Sequence, residues 1–252
     1  MGCNACKSGK ALDFELRTAF QPIFNVRNGS VFAYEALVRG INGEGAEEIL
    51  ARVTAQTLYS FDQACRVAAI ENAVAAGLLN TDARLSINFM PNAVYEPMAC
   101  IRLTLQTARE VGMPVDRLIF EFTENERLDT DHVRDILKAY NKLGFATALD
   151  DFGAGYSGLN LLADMQTDYV KLDMALIRGI DQSEPRRQIV YAMVRLLEDM
   201  GRSVVAEGIE TQGEMDALCD IGVYLMQGFL LARPAIDILP VWPESGPLAR
   251  AA

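Results

Sequence analysis

Seven residues of this 252-residue chain have side chains that could do chemistry together: Glu35, Asn88, Glu121, Asp150, Asp151, Lys171 and Glu207. Any one of the acids alone would pass for a surface ion pair or a solvated strand end. As a set they cannot. Five carboxylates drawn to one place repel one another and raise each other's pKa unless cations neutralise them, so the group reads as a site for one or two divalent metals. The donors are oxygens, and oxygen without thiolate or imidazole favours Mg²⁺ or Mn²⁺ over Zn²⁺. The single histidine, His132, stands at the start of an expected helix, which excludes a zinc hydrolase or a histidine-activated nucleophile.

Asp150 and Asp151 are adjacent, and neighbours on a strand point to opposite faces. Gly153 and Gly155 follow closely and permit a tight turn that would bring Asp151 round beside Asp150, so that one acid bridges two metals and the other binds the second. The string Asp151, Phe152, Gly153 also occurs in protein kinases, but there is no glycine-rich loop and no His-Arg-Asp catalytic loop.

Positioning these residues needs a repeated element, and the chain has one: a short apolar run with a polar residue near its end, a loop, then a segment of helical period. The runs are Arg84 to Met90, Leu118 to Glu124, Ala146 to Phe152, Tyr169 to Asp173, Ser203 to Glu210 and Tyr224 to Leu231. Between them, Val133, Ile136, Leu137 and Tyr140 fall at helical spacing before Gly144, and Ile189, Met193, Leu196 and Met200 before Gly201. Alternating strands and helices predict a parallel sheet, and the length suits an α/β chain closed as a (β/α)8, TIM-like barrel. Asn88 lies between Ile87 and Phe89, Glu121 between Phe120 and Phe122, Lys171 between Val170 and Leu172. Each polar side chain therefore faces away from its apolar neighbours, toward the barrel axis and near its C-terminal mouth. A doubly wound open sheet is the alternative, but no G-x-G-x-x-G turn supports nucleotide binding of that type.

Composition narrows the function classes. The chain is 50% hydrophobic and 23% charged, with mean hydropathy +0.10, as expected of a globular domain. Its 23 basic residues stand against 34 acidic ones, a formal net charge of -11, so no nucleic acid polymer is expected as partner and an anionic substrate would need metals to mediate its binding. No apolar run approaches the roughly 18 residues of a membrane span, and Met1 to Lys10 lacks the core of a signal peptide, so a cytoplasmic location and no membrane contact are expected. Gly2 begins no myristoylation pattern, because the sixth residue is Cys6. Five cysteines argue against a disulfide framework. Cys65, Cys100 and Cys219 read as buried thiols, while Cys3 and Cys6 form a C-x-x-C pair, half a metal site, in an N-terminal arm spanning 1–16 ahead of a single domain at 17–252.

Eight strings in order bear a resemblance to the EAL-type cyclic di-GMP phosphodiesterases. They are Gln21-Pro22-Ile23; Glu35-Ala36-Leu37 with Val38 and Arg39; Ser86-Ile87-Asn88; Glu121-Phe122-Thr123-Glu124; Asp150 through Ser157; Lys171-Leu172-Asp173; Ala206 through Thr211; and Gln227-Gly228-Phe229. Each is weak alone; together they cover roughly residues 17 to 236. Ala154 departs from the commonest family form, which has Thr, a small-for-small change that leaves both acids and both glycines in place.

The resemblance implies a barrel whose first strand runs antiparallel to the rest. It implies that Glu35, Asn88, Glu121 and Asp150 bind one metal, that Asp150 and Asp151 hold the second, and that Glu207 supports the cluster or its water. Lys171 would contact the attacking water, with Lys171 or Glu207 helping its deprotonation and Glu35 essential through its metal. Gln21, Arg39 and Gln227 would hold cyclic di-GMP, Arg39 as a planar fork on a phosphate, and Glu124 would anchor the loop after Asp151. The implied reaction opens one ester bond to give linear pGpG by in-line attack of water between two Mg²⁺ or Mn²⁺ ions, with Ca²⁺ inhibitory. A second copy of the chain or an unknown regulatory partner is compatible with this. The rival function is a silent cyclic di-GMP receptor or protein-interaction domain, which loss of Glu35, Asp151 or Lys171 would favour. None is lost.

Overall fold

The computed structural model describes residues 11–123, 129–154 and 158–242. Eight strands close a barrel: β1 (Leu16–Asn25), β2 (Ser30–Gly40), β3 (Arg84–Asn88), β4 (Leu118–Thr123), β5 (Ala146–Phe152), β6 (Tyr169–Leu172), β7 (Ser203–Ala206) and β8 (Leu225–Met226), with β9 (Ala235–Ile236) added against β1. From β2 to β8 every pairing is parallel, while β1 runs antiparallel to both β2 and β8 and seals the ring. The expected barrel and its reversed first strand are both present. The last strands are shorter than their apolar runs, with β7 ending at Ala206 and β8 at Met226, so Glu207 and Gln227 lie just past strand ends.

The period of two along the strands sorts their residues. Ala33, Ile119, Ala148 and Val205, with Ile23, form a small cluster inside the barrel, two residues before Glu35, Glu121, Asp150 and Glu207 respectively. The same face of each strand is thus apolar at the floor and polar at the mouth. The opposite faces, among them Tyr34, Leu85, Ile87, Phe120, Phe122, Leu149, Val170 and Leu172, pack beneath the helices in the main core.

Helices α1 (Ala46–Leu50), α2 (Leu58–Ala75), α3 (Pro97–Cys100), α4 (Arg102–Val111), α5 (Thr130–Lys142), α6 (Gly158–Asp164), α7 (Met174–Ile177), α8 (Glu184–Asp199) and α9 (Gln212–Ile221) are those among the described residues. In α5 the Asp129 side chain accepts from the Asp131 and His132 amides, satisfying two donors of the first turn, and Val133, Ile136, Leu137 and Tyr140 are buried as their spacing predicts. In α8 the spacing misleads. Ile189, Leu196 and Met200 are exposed, and Val190, Val194 and Leu197, one residue further on, are the ones buried. The helix carries two adjacent apolar stripes, and only its docking against the barrel selects between them. Among the three mid-chain cysteines Cys100 is buried, whereas Cys65 and Cys219 are half-buried free thiols, a correction to the expectation of three buried ones. No helix among the described residues is long and apolar enough to cross a membrane.

Candidate metal centre

The strand ends bring the expected acids together at the mouth. Ligand oxygens of Glu35, Glu121 and Asp150 lie within 4.8 Å of one another, and so do those of Asp150, Asp151 and Glu207. Asp150 belongs to both groups. In their midst stands Lys171, 1% exposed, whose Nζ lies 2.9 Å from Glu121 Oε2, 2.9 Å from Glu207 Oε1, 3.0 Å from Asp150 Oδ1 and 3.5 Å from Glu35 Oε2.

Asp151 joins the cluster by a route other than the expected one. Pairing of β5 with β6 slips between Leu149 and Phe152, where β5 carries one residue more than its neighbour. Asp151 sits at that bulge with φ +54, in the left-handed region that side chains beyond glycine rarely enter. The strand itself is therefore kinked at the acid, ahead of Gly153 (φ +99), and both aspartates reach one site. Gly155 lies outside the described residues, as do Glu124, Cys3 and Cys6.

The electrostatics follow from burial without enough positive charge. Burial first, then the charges of Glu35 and Asp150, push the Glu121 carboxyl up to about 8 against the pull of Lys171. Burial and then Asp150 lift Asp151 to about 6. Glu207 is likewise raised well above the usual carboxylate range, mainly by burial. Burial disfavours the Lys171 ammonium, yet Asp150, Glu121, Glu207 and Glu35 outweigh it and raise its pKa well above that of an ordinary lysine. One ammonium cannot balance five ionised acids. Asp150 Oδ1 is buried and makes no hydrogen bond among the described residues, its contact with Lys171 being an ion pair outside hydrogen-bond geometry. Asp150 belongs to both carboxylate triads, and two such clusters of buried oxygen donors, short of positive charge, are what a pair of hard cations would complete.

Neighbouring groups hold the ligands in place. Asn88 Nδ2 donates to Glu35 Oε1 (3.1 Å) and Gln227 Nε2 to Glu35 Oε2 (2.8 Å), leaving the Asn88 carbonyl oxygen for other use. The Ser86 hydroxyl, fully buried, donates to Glu121 Oε1. Ser86 carries no signal of this role in the sequence beyond lying two residues before Asn88 on one strand face. A second unforeseen group is Arg66 on α2, fully buried, paired with Asp62 (2.8 Å) and donating to the Tyr140 hydroxyl (2.7 Å). Asp62 Oδ1 accepts from the Met90 amide (3.0 Å), which fixes the chain just after Asn88.

Two cavities adjoin the cluster. One, of about 240 Å³, is lined by Gln21, Glu35, Asp151, Glu207, Gln227 and Phe229 among others, with the Arg233 guanidinium over the half-exposed Phe229 ring. The other, of about 330 Å³ and mostly apolar, lies on the side of Asn88 and is lined by Leu37, Asp62, Met90 and Thr123 among others. Gln21 Nε2 donates to the Ala232 carbonyl (3.2 Å) at the rim of the first. Arg39 stands apart: its guanidinium donates to the Val38 carbonyl (2.7 Å), meets no carboxylate among the described residues and lines neither cavity.

A family model described as the EAL domain matches residues 9–234. Among solved structures, a standalone EAL protein from Vibrio cholerae in its c-di-GMP-bound form is 47% identical, with a TM-score of 0.89, covering 93% of this chain and 98% of that one. Klebsiella pneumoniae BlrP1, in a manganese and cy-diGMP complex, is 35% identical with a TM-score of 0.83, covering 91% of this chain and 58% of that one. Among curated relatives, the probable cyclic di-GMP phosphodiesterase PdeG of Escherichia coli is 29% identical over 90% of this chain and 46% of its own length. The blue light- and temperature-regulated antirepressor BluF of the same organism is 28% identical over 90% of this chain and 56% of its own. The chain thus spans about half the length of these two curated relatives.

Proposed function

This chain belongs to the EAL domain family, and from that premise we propose that it is a phosphodiesterase that hydrolyses cyclic di-GMP to linear pGpG with two bound Mg²⁺ or Mn²⁺ ions. The observation that carries the reading is the sharing of Asp150 between two carboxylate triads at the barrel mouth. Glu35, Asn88, Glu121 and Asp150 would hold one cation, and Asp150, Asp151 and Glu207 the other. When bound, such cations neutralise phosphate charge and lower the pKa of the attacking water.

The chain's own groups do the rest. Lys171, kept protonated by its acidic neighbours, donates a hydrogen bond that orients the attacking oxygen, and Glu207, 2.9 Å from its Nζ, is placed to accept the proton. Gln21 and Gln227 at the first cavity contact the dinucleotide. Arg39 reaches a phosphate by swinging away from the Val38 carbonyl, its only described partner. The two cavities flanking the cluster take the bases, the apolar one by burial and the other against the Phe229 ring. We assign this chemistry to one domain at 17–252 in the cytoplasm.

A receptor role is the competing reading, favoured by the antirepressor name of one relative. Product formation from cyclic di-GMP with Mn²⁺, with and without chelator, separates the two. Chelator-sensitive pGpG supports hydrolysis; metal-dependent binding without product replaces it with the receptor.

A further inference from the structure

Glu207 lies past the end of β7, so its position depends on the loop that follows. That loop starts well anchored: the Glu207 amide donates to the Leu172 carbonyl (3.1 Å) and the Ile209 amide to the Gln227 carbonyl (3.1 Å). Beyond Ile209 one buried side chain takes over. Glu214, 2% exposed on α9, accepts at Oε2 from the Glu210 amide (3.0 Å) and the Thr211 amide (3.2 Å). Its other oxygen, Oε1, accepts from the Gly179 amide (3.0 Å), Arg178 Nη1 donates to both oxygens (3.3 Å to Oε1, 3.4 Å to Oε2), and Arg178 Nη2 pairs with Glu210 (2.8 Å).

Only half of this arrangement is needed to cap a helix. Thr211 and Glu214 form a capping box, which uses Oε2 alone. Oε1 is turned to residues that follow α7, at the end of the loop leaving β6, the strand of Lys171. The carboxylate therefore ties the loop after Lys171 to the loop after Glu207, the two residues whose charged groups meet at 2.9 Å. Where the loops cross, Gly208 (φ +66) passes so close to α7 that a Cβ would come within 2.4 Å of Met174 Cβ, leaving no slack for the loops to shift independently.

Resting on the reading that Glu207 serves the metal pair, we propose that Glu214 is a positioning residue, setting Glu207 against Lys171 through its second oxygen.

Glu214→Gln tests the second oxygen selectively. Glutamine satisfies a capping box, so α9 and the thermal midpoint should be largely kept. Its one carbonyl oxygen cannot serve both loops, and the amide would face the Gly179 N–H and Arg178 as another donor. Mn²⁺ affinity, titrated by calorimetry on the full chain, should fall about tenfold, within the range for groups that orient metal ligands. Arg178→Met, which removes the Arg178 part of the brace and leaves the capping box of α9 and the Gly179 bond in place, should shift it in the same direction by less. The decisive measurement is the same pair of substitutions in a Glu207→Gln background, where no further loss is expected if Glu214 acts through Glu207. Equal losses in both backgrounds, or unchanged Mn²⁺ affinity in Glu214→Gln, would overturn the proposal. A parent chain that binds Mn²⁺ yet forms no pGpG sinks the hydrolase reading alone; one that binds no Mn²⁺ sinks both.

Discussion

Gln227 Nε2 donates to Glu35 Oε2 at 2.8 Å, joining residues 192 apart in the chain across the strand that closes the barrel. The bond restrains a carboxylate that Asn88 holds from the other side, so Glu35 is oriented before any ligand arrives. The Gln227 carbonyl oxygen is buried and accepts no hydrogen bond among the described residues. Gln227→Ala should weaken Mn²⁺ binding about tenfold, as loss of a group that orients a ligand does. Gln227→Glu should weaken it less but lower the metal-free thermal midpoint, because it adds an acid to a cluster already short of positive charge. Calorimetry and thermal melts on both variants test the pair, and unaltered Mn²⁺ affinity in Gln227→Ala would remove the bond from the account.

Lys171 and Glu35 separate chemistry from metal binding. Lys171 supplies no metal bond, so Lys171→Ala should bind cyclic di-GMP nearly as the parent does while turnover falls by about 10²- to 10⁴-fold, the usual range for proton-handling groups. Glu35→Ala should lose metal affinity and recover part of its activity at high Mn²⁺. Steady-state rates across a Mn²⁺ series make the comparison, and a Lys171→Ala enzyme running at the parent rate would remove Lys171 from the chemistry and leave it to Glu207 or solvent.

The pH dependence of metal-free stability has a defined sign. Asp151 and Glu121 bind protons more tightly folded than unfolded, with folded values of about 6 and about 8. Between the ordinary carboxylate range near 4 and those values the native state holds more protons than the unfolded one, so stability falls as pH rises. Lys171, raised above its ordinary value, stays charged in both states throughout this window and adds no slope. In chelator the thermal midpoint should therefore drop from pH 5 to pH 8, and saturating Mn²⁺ should raise it most at pH 8. A midpoint that climbs over this range in chelator contradicts the burial of these acids.

Metal identity should matter through bond length. Ca²⁺ takes longer bonds and more ligands than Mg²⁺, so it can occupy an oxygen cage without holding reactants in line. Activity is expected with Mg²⁺ or Mn²⁺, and Ca²⁺ should inhibit competitively with either. Equal turnover with Ca²⁺ as sole cation would count against the two-cation geometry.

Much of this site is written in local periodicity. An alternation of two residues is enough to turn Asn88, Glu121 and Lys171 away from their apolar neighbours, and the polar ends of successive runs are enough to put them at one mouth once the sheet closes. Oxygen-only donors likewise select the metal class without coordinates. Other features depend on what meets what. The antiparallel setting of β1 entered through family resemblance alone, because strand direction is a property of pairing. Asp151 reaches the cluster by a bulge that exists only where β5 and β6 pair, and no residue type announces it. In α8 both apolar stripes satisfy helical spacing, and the barrel buries Val190, Val194 and Leu197 while leaving Ile189 and Leu196 outside. Ser86, Asp62 and Glu214 are ordinary polar residues in sequence, and their partners lie 35, 28 and 35 residues away. Periodicity states which side of an element a group occupies; the distances between elements, on which ligand geometry and proton affinity depend, arise only when the barrel closes and water is excluded.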